Sequence, residues 1–282
     1  MAKTMTPDPD NGKEINGETL AALFRSLRLW RMADELPAII EEAAHEGWGN
    51  LEFLSKILRS EEVRRSQSRF ERNLKASNLS LAYGLDHFDF ELAAERGLKA
   101  TVVRDLAQCE FIRARRNVIV AGGVGTGKTY LARTLGVEAL KRGFKVFSFN
   151  TATLVDLIFA RRNSFQFGKF YGRIRDVDLI ILDDLAYLPY TPEKVEYLFS
   201  LVVDRYELQR GSTIVTSNTD VTEWWQFFPS KSMGMAFSDR VLDGAQGILL
   251  TGESIRKPRY RMKGKKPPED SSPDNGNKKS DR

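Results

Sequence analysis

Eight consecutive residues, Gly122-Gly123-Val124-Gly125-Thr126-Gly127-Lys128-Thr129, restrict the possible folds of this chain more than any other stretch. They satisfy G-x-x-x-x-G-K-[ST] at every fixed position. Their flanks have the matching character: Asn117 to Ala121 reads as a short buried strand, and Tyr130 to Lys141 as a helix. A strand that turns through glycines into a helix brings successive backbone N–H groups together, and the helix N-terminus adds partial positive charge. Gly122, Gly123, Val124, Gly125, Thr126 and Gly127 are therefore expected to wrap the phosphates of a nucleotide. Lys128 should reach the β- and γ-phosphates, and Thr129 should place its hydroxyl on Mg²⁺. A glycine-rich turn that matched by chance would have no reason to lie between a strand and a helix.

The second signal is Val177-Asp178-Leu179-Ile180-Ile181-Leu182-Asp183-Asp184, an apolar strand that ends in two carboxylates. Open α/β sheets bind ligands at the carboxyl ends of their strands. Asp183 is placed to hold Mg²⁺ directly or through water, and Asp184 to orient or deprotonate an attacking water. Without the phosphate loop the plainer reading would be a strand closing in a polar turn. The third signal, Thr213-Ile214-Val215-Thr216-Ser217-Asn218, is again a strand ending in small polar groups. The Asn218 amide could hold a water against the γ-phosphate, although taken alone it reads as an ordinary turn.

Around these motifs the chain divides into four parts. Residues 1–17 are rich in Pro, Asp, Asn and Gly and are expected to be disordered. Residues 18–78 read as a small helical domain, with Pro37 in a first helical turn, a break at Gly47-Trp48-Gly49, and then a basic helix carrying Arg64 to Lys75. Residues 79–255 form the nucleotide-binding domain, beginning with a connector that turns at Gly84. Strands at 144–149, 179–182, 213–216 and 247–250 alternate with helices at 151–161 and 193–209, which gives a parallel sheet between helices. Residues 256–282 are basic and then low in complexity. The single Cys109 excludes an intrachain disulfide framework, and His45 and His87 are too far apart in sequence to suggest a metal cluster. No apolar run could span a membrane, so a cytoplasmic protein is expected. A formal charge of +5 is mildly basic and says little by itself about nucleic acid.

Together the three signals resemble the AAA+ ATPases, in which Asn218 would be the sensor 1 residue. Further segments narrow the match: Leu27-Arg28-Leu29-Trp30-Arg31-Met32-Ala33, Phe88-Asp89-Phe90, Ile180 to Pro189, Arg205-Tyr206-Glu207, Ser212 to Asn218, Glu223-Trp224, and Asp239-Arg240-Val241-Leu242-Asp243 with Gly252-Glu253-Ser254. In this order, from about Leu20 to Arg256, the chain is similar to the IstB transposition helpers, relatives of the DnaC helicase loader. The resemblance implies an AAA+ core without a C-terminal lid domain. It also implies ATP and Mg²⁺ bound between subunits of a homo-oligomer on duplex DNA, and a transposase as partner. Arg240 matches the arginine finger that reaches a neighbour's γ-phosphate, as suits a planar and permanently charged group. A surface salt bridge to Asp239 or Asp243 is the plainer role for Arg240. Arg205 competes as the finger, though its place before the sensor strand suggests a solvated role. Many family members carry Glu where Asp184 stands, and a shorter carboxylate suits slow hydrolysis. Arg256 is a further candidate for a phosphate contact.

In related initiators an extra helix between the second strand and the Asp183 strand faces DNA. Here that interval holds Arg161, Arg162, Lys169, Arg173 and Arg175, interleaved with Phe165, Phe167, Phe170 and Tyr171. Such cations would neutralise phosphates without reading sequence. The 64–75 helix and the C-terminal basic run are alternatives, and a solvated basic face is the plain reading of all three. Three other functions fit the core: a replicative helicase loader, a small-molecule P-loop kinase, and a nucleotide-dependent scaffold that barely hydrolyses. The sensor strand and the Arg240 segment speak against the kinase.

Overall fold

Buried apolar runs mark the strands of this chain, and a sheet made of such runs must be covered on both faces. The computed structural model describes residues 16–185, 191–252 and 254. An N-terminal lobe comprises α1 (Gly17–Ser26), α2 (Trp30–Glu46) and α3 (Asn50–Ser77). Two 3-10 turns, Leu81–Tyr83 and Leu85–His87, form the connector. The core continues through α4 (Phe90–Glu95), α5 (Ala100–Ala107), α6 (Glu110–Arg113), β1 (Val118–Gly122), α7 (Lys128–Lys141), β2 (Val146–Asn150), α8 (Thr151–Arg161) and α9 (Phe167–Arg175). It closes with β3 (Leu179–Asp183), α10 (Pro192–Glu207), β4 (Ser212–Ser217), a 3-10 segment (Val221–Phe227), α11 (Lys231–Leu242) and β5 (Gln246–Leu250).

The strands form one sheet in the order β2-β3-β4-β1-β5, and every neighbouring pair is parallel. Parallel neighbours need crossover connections, which lay helices on both faces. Successive side chains of a strand point to opposite faces. Val118 and Val120 of β1 accordingly join the core under α5, α6 and α7, while Ile119 joins the one under α8, α10 and α11. β3 and β4 are buried at every position. The strand order places β4 between the phosphate-loop strand and the strand of Asp183, so the end of β4 enters the site.

A third cluster, Ala21, Met32, Ala33, Leu36 and Ile57, holds the N-terminal lobe together. Arg28 turns the chain between α1 and α2 in the left-handed region, at φ 59°. The buried Glu61 carboxylate fixes that turn. It accepts from Arg64 Nη2 at 2.5 Å, Arg65 Nε at 2.7 Å and the backbone N–H of Arg31 at 3.2 Å. These donors, the Arg64 guanidinium first, hold its pKa down to about 2 against the opposing effect of burial. The last turns of α3 reach the core, where Phe70 and Leu74 pack against its first cluster.

Two expectations for this lobe are corrected. Pro37 lies inside α2 rather than in a first turn. Burial of Met32, Ala33 and Leu36 outweighs the backbone hydrogen bond that proline removes. Gly17 is helical rather than disordered, because Asn16 caps α1 by accepting the Thr19 N–H at 2.8 Å. The remainder of the expected disordered segment, residues 1–15, lies outside the described residues. So do residues 186–190 of the Asp183 motif and the C-terminal basic run with Arg256.

Candidate nucleotide site

The phosphate loop joins β1 to α7 in the expected way, and α7 begins at Lys128 itself. Two glycines are required by geometry. Gly127 precedes the helix at φ 99°, and a Cβ on Gly122 would lie 2.2 Å from the Leu250 carbonyl oxygen of β5. The Lys128 ammonium is buried and donates to the carbonyls of Gly122 and Gly123, at 2.9 and 2.7 Å. It therefore lies along the loop that it is expected to serve.

A cleft of about 540 Å³ opens at the carboxyl ends of β1, β3 and β4. It is lined by Lys128, Thr129, Arg133, Asp183, Asp184 and Asn218. The sequence-predicted groups from three separate segments thus share one space. Thr129 Oγ1 donates to Asp183 Oδ1 at 2.8 Å, and Thr216 Oγ1 donates to the same oxygen at 2.6 Å. Thr216 also accepts the Asp184 N–H at 2.8 Å, and Thr151 donates to the Asp183 carbonyl at 3.0 Å. Asp184 takes a left-handed backbone, φ 59°, and its side chain is exposed. The buried Thr216 hydroxyl therefore orients both residues of the carboxylate pair. Sequence reasoning singled out the strand end but not this residue. Nothing in the sequence set it apart, because Ser212, Thr213 and Ser217 of the same strand also carry hydroxyls.

A second, mostly apolar pocket of about 320 Å³ adjoins the loop at Thr126 and Gly127. Phe88, Leu92, Leu98, Tyr130 and Leu250 form its walls. No motif marks it, because generic apolar side chains and backbone from the connector, α4, α7 and β5 build it.

Arg240 does not belong to this cleft. It lines a recess with Asn117, Gly211 and Gly244, which precede β1, β4 and β5, and so lies at the opposite edge of the sheet. A strand of five residues separates the two edges by about 16 Å. Its guanidinium donates to the Ala236 carbonyl at 3.0 Å and approaches Glu207 at 3.7 Å. The expected ion-pair partners, Asp239 and Asp243, are not the ones it meets. Arg205 contradicts its expected solvated role. Only 5% of it is exposed, and it donates to the carbonyls of Arg175, Val177 and Ser212 at 2.6, 2.9 and 2.8 Å. It ties the start of β3 to the start of β4. Burial lowers its pKa to about 10, so it remains charged at neutral pH.

The five cations proposed for DNA divide between several environments. Arg161 stacks on Phe170 and Arg162 on Phe159, with 4.4 and 3.7 Å from guanidinium to ring centre. Arg175 is paired through two nitrogens with Asp176, at 2.9 and 3.1 Å. Lys169 and Arg173 are exposed. With Arg72 of α3 and Lys145 they border a groove of about 580 Å³, in which Asp176 is the one acidic side chain. Thus two basic segments far apart in sequence meet across one groove. Of the interleaved aromatics, Phe165 is fully exposed, whereas Phe167, Phe170 and Tyr171 pack against the second core.

The chain is similar to known proteins. The family model described as IstB-like ATP binding protein matches residues 22–263. An IS21 insertion-sequence protein of Pseudomonas aeruginosa, named for ATP binding, is 30% identical over 87% of this chain and 91% of its own length. A similarly named IS5376 protein of Geobacillus stearothermophilus is 32% identical over 85% of this chain and 94% of its own. Among solved structures, the DnaC helicase loader superposes with a TM-score of 0.51 at 17% identity, covering 64% of this chain and 98% of that one. The replication initiator DnaA, bound to AMPPCP and single-stranded DNA, gives 0.50 at 19% identity, covering 63% and 52%. The chain belongs to the IstB-like ATP-binding family and is a transposition-associated ATPase with an AAA+ P-loop core.

Proposed function

We propose that this ATPase assembles on duplex DNA as an ATP-joined homo-oligomer that recruits or stimulates the transposase of its insertion sequence. The observation that carries the reading is the separation of Arg240 from its own cleft by the length of the strands. An arginine there cannot serve the nucleotide of its own subunit, but about a quarter of its side chain stays exposed, where a neighbour's cleft could meet it. Phosphoryl transfer depends on positioning and charge neutralisation, so completing a site across an interface couples hydrolysis to assembly.

Within one subunit, the loop N–H groups and Lys128 hold the phosphates, and the apolar pocket beside Thr126 takes the adenine. The chemistry of the donors fits Mg²⁺. Thr129 donates its hydrogen bond to Asp183 Oδ1 and so keeps its lone pairs for a hard cation, and the carboxylate lies beside it. Mg²⁺ would neutralise charge on the β- and γ-phosphates. Asp184 and Asn218 hold the attacking water at the open side of the cleft. DNA lies along the groove between α3 and α9, with Arg72, Lys169 and Arg173 on its phosphates.

The test mixes two inactive variants. Arg240→Ala subunits should bind ATP and fail to hydrolyse it, and Lys128→Ala subunits should fail to bind. In confirmed mixed oligomers some interfaces combine an intact finger with an intact loop, so ATPase activity should return. Mixtures that stay inactive would refute a finger acting between subunits.

A further inference from the structure

We propose that Arg133 is a positioning residue that shares the Asp183 carboxylate with Mg²⁺ and transmits the metal's arrival to the connector, residues 79–89. The inference rests on the reading that Mg²⁺ binds at Thr129 and Asp183.

Arg133 lies four residues after Thr129 on α7, one helical turn away on the same face, so both side chains reach the end of β3. Asp183 Oδ1 is engaged by the hydroxyls of Thr129 and Thr216. The other oxygen, Oδ2, faces Arg133 Nη2 at 3.7 Å, near enough for ionic attraction and too far for a hydrogen bond. The opposite arm of the guanidinium, Nη1, donates to the Tyr83 hydroxyl at 2.8 Å, and the group lies 5.1 Å from the Tyr83 ring centre. Its Nε is buried without a hydrogen-bond partner. The guanidinium is thus stretched between a metal-site carboxylate and a tyrosine of the connector.

That connector touches the nucleotide site a second time. Tyr83 packs edge-on against Tyr130, 5.4 Å between ring centres, and Tyr130 donates to the His87 carbonyl at 2.8 Å. His87, Phe88 and Asp89 line the pocket assigned to the adenine. The connector also continues directly from α3, which borders the basic groove. A change at Asp183 therefore has a contiguous route to the lobe that forms one side of that groove.

Two cations then compete for one carboxylate. Mg²⁺ beside Thr129 weakens the hold of Asp183 on Arg133, and the guanidinium shifts toward Tyr83. Linkage makes the effect reciprocal: whatever holds Arg133 against Asp183 weakens Mg²⁺ by the same factor. The Arg133 side chain is 35% exposed and that of Asp183 is 9% exposed, so solvent and salt reduce the interaction. An effect of about two- to fivefold on Mg²⁺ half-saturation is expected for a partly screened pair.

The experiment measures Mg²⁺ half-saturation of ADP binding, together with hydrogen exchange of residues 79–89 in ADP with and without Mg²⁺. Arg133→Gln should lower the half-saturation about two- to fivefold and abolish the response of the connector to Mg²⁺. Arg133→Lys keeps the charge but lacks the second arm, so it should keep the parent's half-saturation and lose the connector response. The inference is overturned if Arg133→Gln keeps the parent's half-saturation, if its connector still responds, or if Arg133→Lys matches Arg133→Gln in half-saturation. Asp183→Asn distinguishes failure of the underlying reading. If it binds ADP with unchanged Mg²⁺ dependence, the metal is not held there. Thermal melts confirm that each variant is folded.

Discussion

Replacing Arg205 by methionine separates a structural arginine from a catalytic one. Methionine keeps most of the stem and suits a helix, so the change removes chiefly the guanidinium. It deletes short donations to the Arg175, Val177 and Ser212 carbonyls and a longer one, 3.5 Å, to Ile174. Each buried carbonyl left without a donor costs about 1–3 kcal/mol. Relief from burying a charge offsets part of that loss, which leaves a net destabilisation of about 3–5 kcal/mol. At about 2–4 °C per kcal/mol for a protein of this size, the melt should fall by about 6–20 °C. Arg205→Lys should fall between, because one ammonium cannot serve β3 and β4 together. ATP affinity, measured well below the melt, should be retained, since the cleft lies at the far edge of the sheet. A variant that melts within about 2 °C of the parent yet loses hydrolysis would refute the clamp and return Arg205 to the nucleotide of a neighbouring subunit.

Two further outcomes follow from charge. Lys169→Ala combined with Arg173→Ala should weaken binding to all duplex sequences alike and flatten the log–log salt dependence by about 0.9 for each phosphate no longer neutralised, with ATP binding intact. Anisotropy titrations over several salt concentrations test this, and an unchanged slope would make the groove a solvated face. Glu61 has its folded pKa lowered from 4.5 to about 2, so its stabilisation is complete above pH 4.5 and is lost as pH falls through about 2. Glu61→Gln should therefore be less stable than the parent at neutral pH and converge with it over that acid window in circular dichroism melts. A gap that stays constant down to pH 2 would contradict the role given to the carboxylate.

Strong local patterns were the legible part of this chain. Apolar runs ending in carboxylate, hydroxyl or amide groups placed β3 and β4, and the loop residues placed β1 and α7. The short helices α4, α5 and α6 have no comparable pattern. Each is too short for periodicity to show, and tertiary packing of Val103, Leu106, Phe111 and Ile112 forms them. Pro37 misled for a related reason. Local rules put proline at a helix start, but burial of Met32, Ala33 and Leu36 just before it carried α2 through it. Arg205 misled because sequence cannot distinguish a cation in solvent from one enclosed by carbonyls.

By itself the sequence determined the phosphate cradle, the two carboxylates at the end of β3, the parallel α/β class and the family. Each of these rests on residues close together in the chain, where spacing fixes geometry. Only the tertiary structure decided what depends on distant segments meeting. Insertion of β4 between β1 and β3 set the Thr216 hydroxyl on Asp183 and Asp184. The crossovers put Arg240 at the edge of the sheet away from its own nucleotide. The fold of the connector over α7 joined Tyr83 to Arg133, and Arg133 to the Asp183 carboxylate. Such pairings have no fixed sequence spacing, because they are selected by the order in which strands pair and by the faces that helices bury.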